Sequence, residues 1–178
     1  MNLSQVDAEK IAEAVAVINE CLPESRVGLP DDIFYLVSRL TPMINVDLLI
    51  VNERNEKLLT WRKDQFYGPG WHIPGGIIRF KELAETRISK VAELELGTTV
   101  SFEPMPLAIR EIMNPNRDIR GHFISMVYKC KLTCSLMQEN EALSSNLLNG
   151  HWRWFASMPS NMIKPHLQFE ELINTTVY

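Results

Sequence analysis

Apolar residues recur every third or fourth position over the first forty residues, and every second position or in unbroken runs further on, so helices come first and strands follow. Ser4-Gln5-Val6-Asp7 opens a helix running to about Cys21, with Ser4 as N-cap and Asp7 as a variant capping box; Ile11, Val15 and Ile18 keep helical spacing. Pro23 to Pro30 reads as a linker. Asp31 to Leu40 is a second short helix, with Ile33, Leu36, Val37 and Leu40 turned inward. From Ile44 the pattern predicts a strand to Asn52, an Asn-rich turn and a strand from Lys57 to Arg62. A glycine loop and a helix over 83–96 come next, then strands near Thr99 to Glu103, Leu107 to Met113 and His122 to Leu132. A strand from His151 to Phe155 and a helix from near His166 close the chain.

The helix over 83–96 and the loop before it carry the chemistry. Its stripe is Ala84, Ile88, Ala92 and Leu96, and Gly97 is its C-cap. Lys90 and Leu94 share one face, Val91 and Glu95 another, because residues four apart stack along a helix. Glu93 lies about 200° around the axis from Glu95 and does not join it. Ahead of the helix, Tyr67-Gly68-Pro69-Gly70 and Trp71-His72-Ile73-Pro74-Gly75-Gly76 are rich in breakers, and paired glycines let a carbonyl approach an ion closely. Magnesium keeps waters and borrows substrate phosphates, so one carboxylate, a loop carbonyl and a diphosphate suffice for one ion.

The run from Trp71 through Gly97, W-x-x-P-G-G-x5-E-x12-E-x-G, resembles the Nudix box. Gly76 and Gly97 match its outer glycines, Glu82 its first glutamate and Glu95 its last; Lys90 stands where the family has arginine, and Val91 and Leu94 where it has glutamates. This pattern of losses is similar to the GDP-mannose mannosyl hydrolase branch, and the likeness extends from about Leu40 to Gly97. The resemblance implies an α/β/α sandwich with a mixed sheet over 41–178, preceded by an N-terminal helical extension over 1–40. It implies magnesium, or manganese in its place, with Glu95 as side-chain ligand and Gly75 as carbonyl ligand. It also implies Arg62 and Lys90 at the diphosphate, Asp47 at the sugar or phosphate end, and a homodimer. The branch's base histidine aligns with Asn149, which accepts no proton in the physiological range; His151, His122 and Glu111 are the substitutes.

Each of these residues also has a plain structural reading. Arg62 suits a solvated strand end, and Asp47, set in an apolar run, suits a salt bridge, with Arg62 as a partner. His151 suits a packed surface histidine, and Trp152 and Trp154 alternate as in a strand. His72 is expected to point outward near the diphosphate. Arg117 and Arg120, in the loop Asn114 to Gly121, either belong to a hairpin turn or clamp phosphate.

Composition narrows the partners. A net charge of -4 over 178 residues argues against a nucleic-acid partner, and no apolar run approaches the roughly 18 residues of a membrane span. Cys21, Cys130 and Cys134 form neither a zinc pattern nor a disulfide set, and Cys130 and Cys134 are expected on one face of a strand. The expectation is a cytoplasmic, metal-dependent hydrolase of a nucleoside-diphosphate sugar. A Nudix pyrophosphatase and a binding module without catalysis stay open beside it.

Overall fold

The computed structural model describes residues 4–22, 28–143 and 146–176. Two helices, α1 (Gln5–Cys21) and α2 (Asp31–Leu40), precede β1 (Met43–Ile50), β2 (Lys57–Arg62), β3 (Gly70–His72) and β4 (Gly75–Ile77). The box helix α3 (Ala84–Leu96) leads to β5 (Val100–Phe102), β6 (Ala108–Met113) and β7 (His122–Leu132). β8 (Trp152–Phe155), a 3-10 turn over Lys164–Phe169 and α4 (Glu170–Asn174) follow.

β1 lies between antiparallel β4 and parallel β7, and β7 also pairs with β5 and β6, making a mixed five-stranded sheet. A second sheet runs β3-β2-β8. β1 explains its own apolar run, because it is covered on both sides. Val46, Leu48 and Ile50 pack on Ile88, Val91, Ala92 and Leu96 of α3. Leu49 and Val51 pack with Leu59, Trp71 and Ile73 of the second sheet, and with Phe169 and Ile173 near the C-terminus. α3 on one side and the small sheet with the C-terminal helix on the other make a mixed α/β sandwich.

α3 ends as its glycine requires: Gly97 has φ 62° and ψ 29°, and its N–H caps Glu93. Gly70–His72 and Gly75–Ile77, read from the sequence as loop, form short strands. Three residues are too few to show a period.

The extension departs from its expected packing. Ser4 caps α1 through Asp7, yet no residue of α1 is buried, and Ile11 and Val15 are about half exposed. In α2, Leu36 and Leu40 face outward rather than inward. α2 instead seats itself through Ser38, whose Oγ accepts the Arg120 N–H at 3.1 Å, and Tyr35, whose ring meets Phe66 edge-on at 5.7 Å. Within the expected linker, 23–27 lie outside the described residues. Cys134 falls beyond the end of β7 and is exposed while Cys130 is buried, so the two do not share a strand face.

Candidate active site

β1 carries a carboxyl into its own interior. Asp47 is fully buried; Ser125 of β7 donates its hydroxyl to Oδ2, and Asn45 adds a second side-chain hydrogen bond. Oδ1 has no partner. Burial pushes the Asp47 carboxyl up to about 6 against the pull of Ser125 and Asn45. The expected salt bridge to Arg62 does not form, because Arg62 pairs with Asp64.

Glu95 faces the same space from α3. Burial pushes its carboxyl up to about 8; the Arg62 charge and the Gly75 N–H oppose that shift, and Asp47 adds to it. Gly75 joins the two acids. It sits opposite Asp47 in the β1–β4 ladder, and the flanking 2.8 Å bond from Leu48 N–H to Pro74 C=O makes them a non-hydrogen-bonded pair. Both backbone polar groups of Gly75 therefore turn away from β1, and its N–H reaches Glu95. A Cβ at this position would collide with Asp47 Oδ1 and lie 2.8 Å from the Val46 carbonyl.

These groups line a cavity of about 460 Å³ with Arg62, Arg120, His72 and His166. Arg120 is held in a left-handed backbone conformation (φ 52°); its carbonyl accepts from the Tyr67 hydroxyl at 2.8 Å, and its Nε is buried without a partner. Burial, then the Arg62 charge, lowers its pKa. Arg62 and Arg120 thus bring two guanidinium groups to one cavity, donors of the kind that suit an anion.

His72 is buried rather than turned outward. Its Nδ1 lies 2.9 Å from the Ile73 carbonyl and must donate there, so its Nε2 accepts from the Thr60 hydroxyl at 3.0 Å. His166 Nδ1 accepts the Ile73 N–H at 3.1 Å, which places its proton on Nε2. Burial, with Arg62 adding to it, pushes His72 down to about 4, and burial with the neighbouring His72 holds His166 well below its usual value. Both are neutral imidazoles at pH 7. Neither ring offers a free lone pair.

Glu82, the other acid matched to the box, is locked away from the cavity. Its Oε2 accepts the Arg79 N–H at 3.0 Å and the Arg87 Nε at 2.8 Å, while Oε1 pairs with Lys90 Nζ at 2.9 Å. Its carboxyl sits low, at about 2: these bonds outweigh burial. Lys90 therefore serves Glu82 and does not line the cavity.

The donor set fits one divalent cation: the partnerless Asp47 Oδ1, the Glu95 carboxyl and the Gly75 carbonyl. Burial disfavours the ionised form of both acids, and a bound cation would favour it. Among the described residues no three His, Cys, Asp or Glu side chains converge on a common point.

No protein-family model matches the sequence. Over 114 residues, 62% of this chain and 70% of the relative, it is 28% identical to the low-salt glycan biosynthesis protein Agl8 of Haloferax volcanii. Among solved structures, a MutT Nudix hydrolase from Burkholderia pseudomallei aligns with a TM-score of 0.56 at 18% identity, covering 78% of this chain and 99% of that one. A UDP-X diphosphatase aligns at 0.55 and 18% identity, covering 98% of this chain and 83% of that one. The fold is that of the Nudix hydrolases.

On this Nudix fold, six residues singled out from the sequence as ligand or substrate groups meet in one cavity: Asp47, Arg62, His72, Gly75, Glu95 and Arg120. His151, Arg117 and Lys90 are not among its walls. The His151 Nδ1 accepts the Leu148 N–H at 3.3 Å, and the Arg117 guanidinium lies over the Tyr67 ring at 4.6 Å. His122 and Glu111 pair with each other at 2.9 Å, also outside the lining. Asn149 does line the cavity, but its amide is spent on the Lys63 backbone: Oδ1 accepts the N–H at 2.6 Å and Nδ2 donates to the carbonyl at 3.1 Å. Thr60 and His166 escaped sequence reasoning. A threonine in a strand and a histidine before an amphipathic helix carry no local signal.

Proposed function

We propose that this protein is a divalent-metal-dependent hydrolase that splits a nucleoside-diphosphate sugar of the GDP-mannose kind into nucleoside diphosphate and free sugar. The observation that carries this reading is the Asp47–Gly75–Glu95 cluster facing Arg62 and Arg120 across one cavity. A magnesium or manganese ion held there supplies positive charge to the diphosphate. Arg62 and Arg120 bind its outer oxygens and hold the departing charge, as fixed cations aimed at developing negative charge do.

The chain's own groups favour scission at the sugar carbon. Attack of water on phosphorus demands an activated nucleophile. The two cavity histidines have their ring lone pairs committed, Glu82 is tied to Arg87 and Lys90, and Val91 is in the core. Substitution at an anomeric carbon, with its oxocarbenium-like transition state, asks mainly for a stabilised leaving group and a positioned water. The similarity to a glycan biosynthesis protein agrees with an activated-sugar substrate. The likeness to a UDP-X diphosphatase favours the second reading, a pyrophosphatase that releases nucleoside monophosphate.

Product analysis decides between them. Wild type and Glu95→Gln are incubated with magnesium and a panel of GDP- and UDP-sugars. Nucleoside diphosphate plus sugar, reduced at least a hundredfold in the variant, is the expected outcome. Nucleoside monophosphate plus sugar phosphate supports the pyrophosphatase, and retained nucleotide binding without turnover supports a binding module.

The same proposal includes a homodimer working in the cytoplasm. Unburied apolar residues along α1, Val6, Ile11 and Val15 among them, support a second copy as their cover, and the three unpaired cysteines suit a reducing compartment.

A further inference from the structure

A second cavity, of about 480 Å³, lies between α2 and the β4–α3 connection, and it shares Ile77 and Arg120 with the first. Its character differs. The walls include three aromatic rings, Phe34 and Tyr35 from α2 and Phe80 from the turn before α3, beside the guanidinium-bearing residues Arg79 and Arg87. Phe80 is 64% exposed, although a large ring at a surface turn costs free energy to leave in water. Asp31, the first residue of α2, is the acidic group in its lining.

At the shared wall, Arg120 is fixed from every direction. Its N–H is held by Ser38 of α2 and its carbonyl by Tyr67, while its guanidinium lies 4.7 Å from the Phe66 ring centre and 5.4 Å from that of Phe34. A cation fixed on aromatic rings between two chambers can serve a charged group in one and a flat group in the other.

We infer that this second cavity is the nucleobase compartment of the substrate, the base stacking on the wall of Phe34, Tyr35 and Phe80 while Arg120 holds the diphosphate at the boundary. The inference rests on the proposed nucleotide substrate and adds the place and chemistry of its base. Aromatic and guanidinium planes are the surfaces on which bases stack. The Asp31 carboxylate suits guanine, whose N1–H and amino group both donate. α2 thereby becomes part of the substrate site.

Calorimetric titration of the magnesium-loaded protein with GDP and, separately, with inorganic pyrophosphate tests this in wild type, Phe80→Ala and Phe34→Ala. Loss of one stacking ring is expected to weaken GDP binding roughly tenfold and to leave pyrophosphate within about twofold. Phe80 is exposed, so its variant tests the compartment even where Phe34→Ala disturbs α2. GDP binding within twofold of wild type in both variants, equal losses for GDP and pyrophosphate, or GDP binding wild type no tighter than pyrophosphate each overturns the inference. GDP binding that responds to Phe80→Ala in a protein without turnover keeps the compartment and removes the hydrolase. Turnover of nucleotide sugars with GDP binding indifferent to both variants does the reverse.

Discussion

At the residue scale the site is a pair of acids held where ionisation is unfavourable. Burial raises Glu95 to about 8 and Asp47 to about 6, while it lowers His72 and His166 from their ordinary 6.5; the two pairs offset one another in mild acid, and Glu95 leaves the folded chain with more bound protons than the unfolded chain between about pH 6.5 and pH 8. Stability present at low pH is therefore lost as pH rises through that window. In chelator the melting temperature is expected to fall over it by the equivalent of on the order of 2 kcal/mol, and Glu95→Gln to flatten the slope. Added magnesium is expected to raise the melting temperature most at the alkaline end, because the ion binds the deprotonated acids. A melting temperature indifferent to pH and magnesium would remove the acid pair from the metal site. Gly75→Ala tests the same atoms sterically: its Cβ collides with Asp47 Oδ1, so magnesium affinity is expected to drop at least tenfold, read by calorimetry. The acid pair was half legible beforehand. Glu95 stood out by its spacing from the glycines; Asp47 stood out as a charge in an apolar run, but its partners, Ser125 and Asn45, lie across a ladder and two residues back.

At the scale of elements, α3 binds itself to the loop before it through Glu82. The Arg87 guanidinium and the Glu82 carboxylate are both nearly buried, 2.6 Å apart at closest approach, and the Glu82 Oε2 also accepts the Arg79 N–H. Removing one member of a buried pair strands the other, so Glu82→Gln is expected to cost roughly 3 kcal/mol in urea unfolding. A loss below about 1 kcal/mol would show that the pair contributes little. The other oxygen of Glu82 explains why Lys90 is not in the cavity: its 45% exposed side chain leans along the helix surface to Oε1. α3 was readable because thirteen residues give more than three turns of periodic pattern, with a glycine at the αL cap. β3 and β4 were not, because short glycine-bearing strands acquire their identity from the partners that hydrogen-bond them.

For the whole molecule, the two N-terminal helices play different parts. α2 builds a wall of the second cavity, whereas α1 keeps its apolar residues in water. If a second copy covers them, Ile11→Asp with Val15→Asp is expected to convert a dimer to a monomer in sedimentation; a wild-type monomer at high protein concentration would sink that expectation. The amino-acid order alone determined the helices, the longer strands, the capping glycine and the acid at 95. These depend on contacts among residues a few positions apart, and side-chain periodicity records such contacts directly. Only the tertiary structure decided which polar residues share the cavity. Asp47 with Ser125, His72 with His166, and Arg120 with Ser38 are separated by dozens of residues. Their meeting depends on strand order, a parallel β1–β7 register and the seating of α2, and no local pattern encodes how two distant strands align.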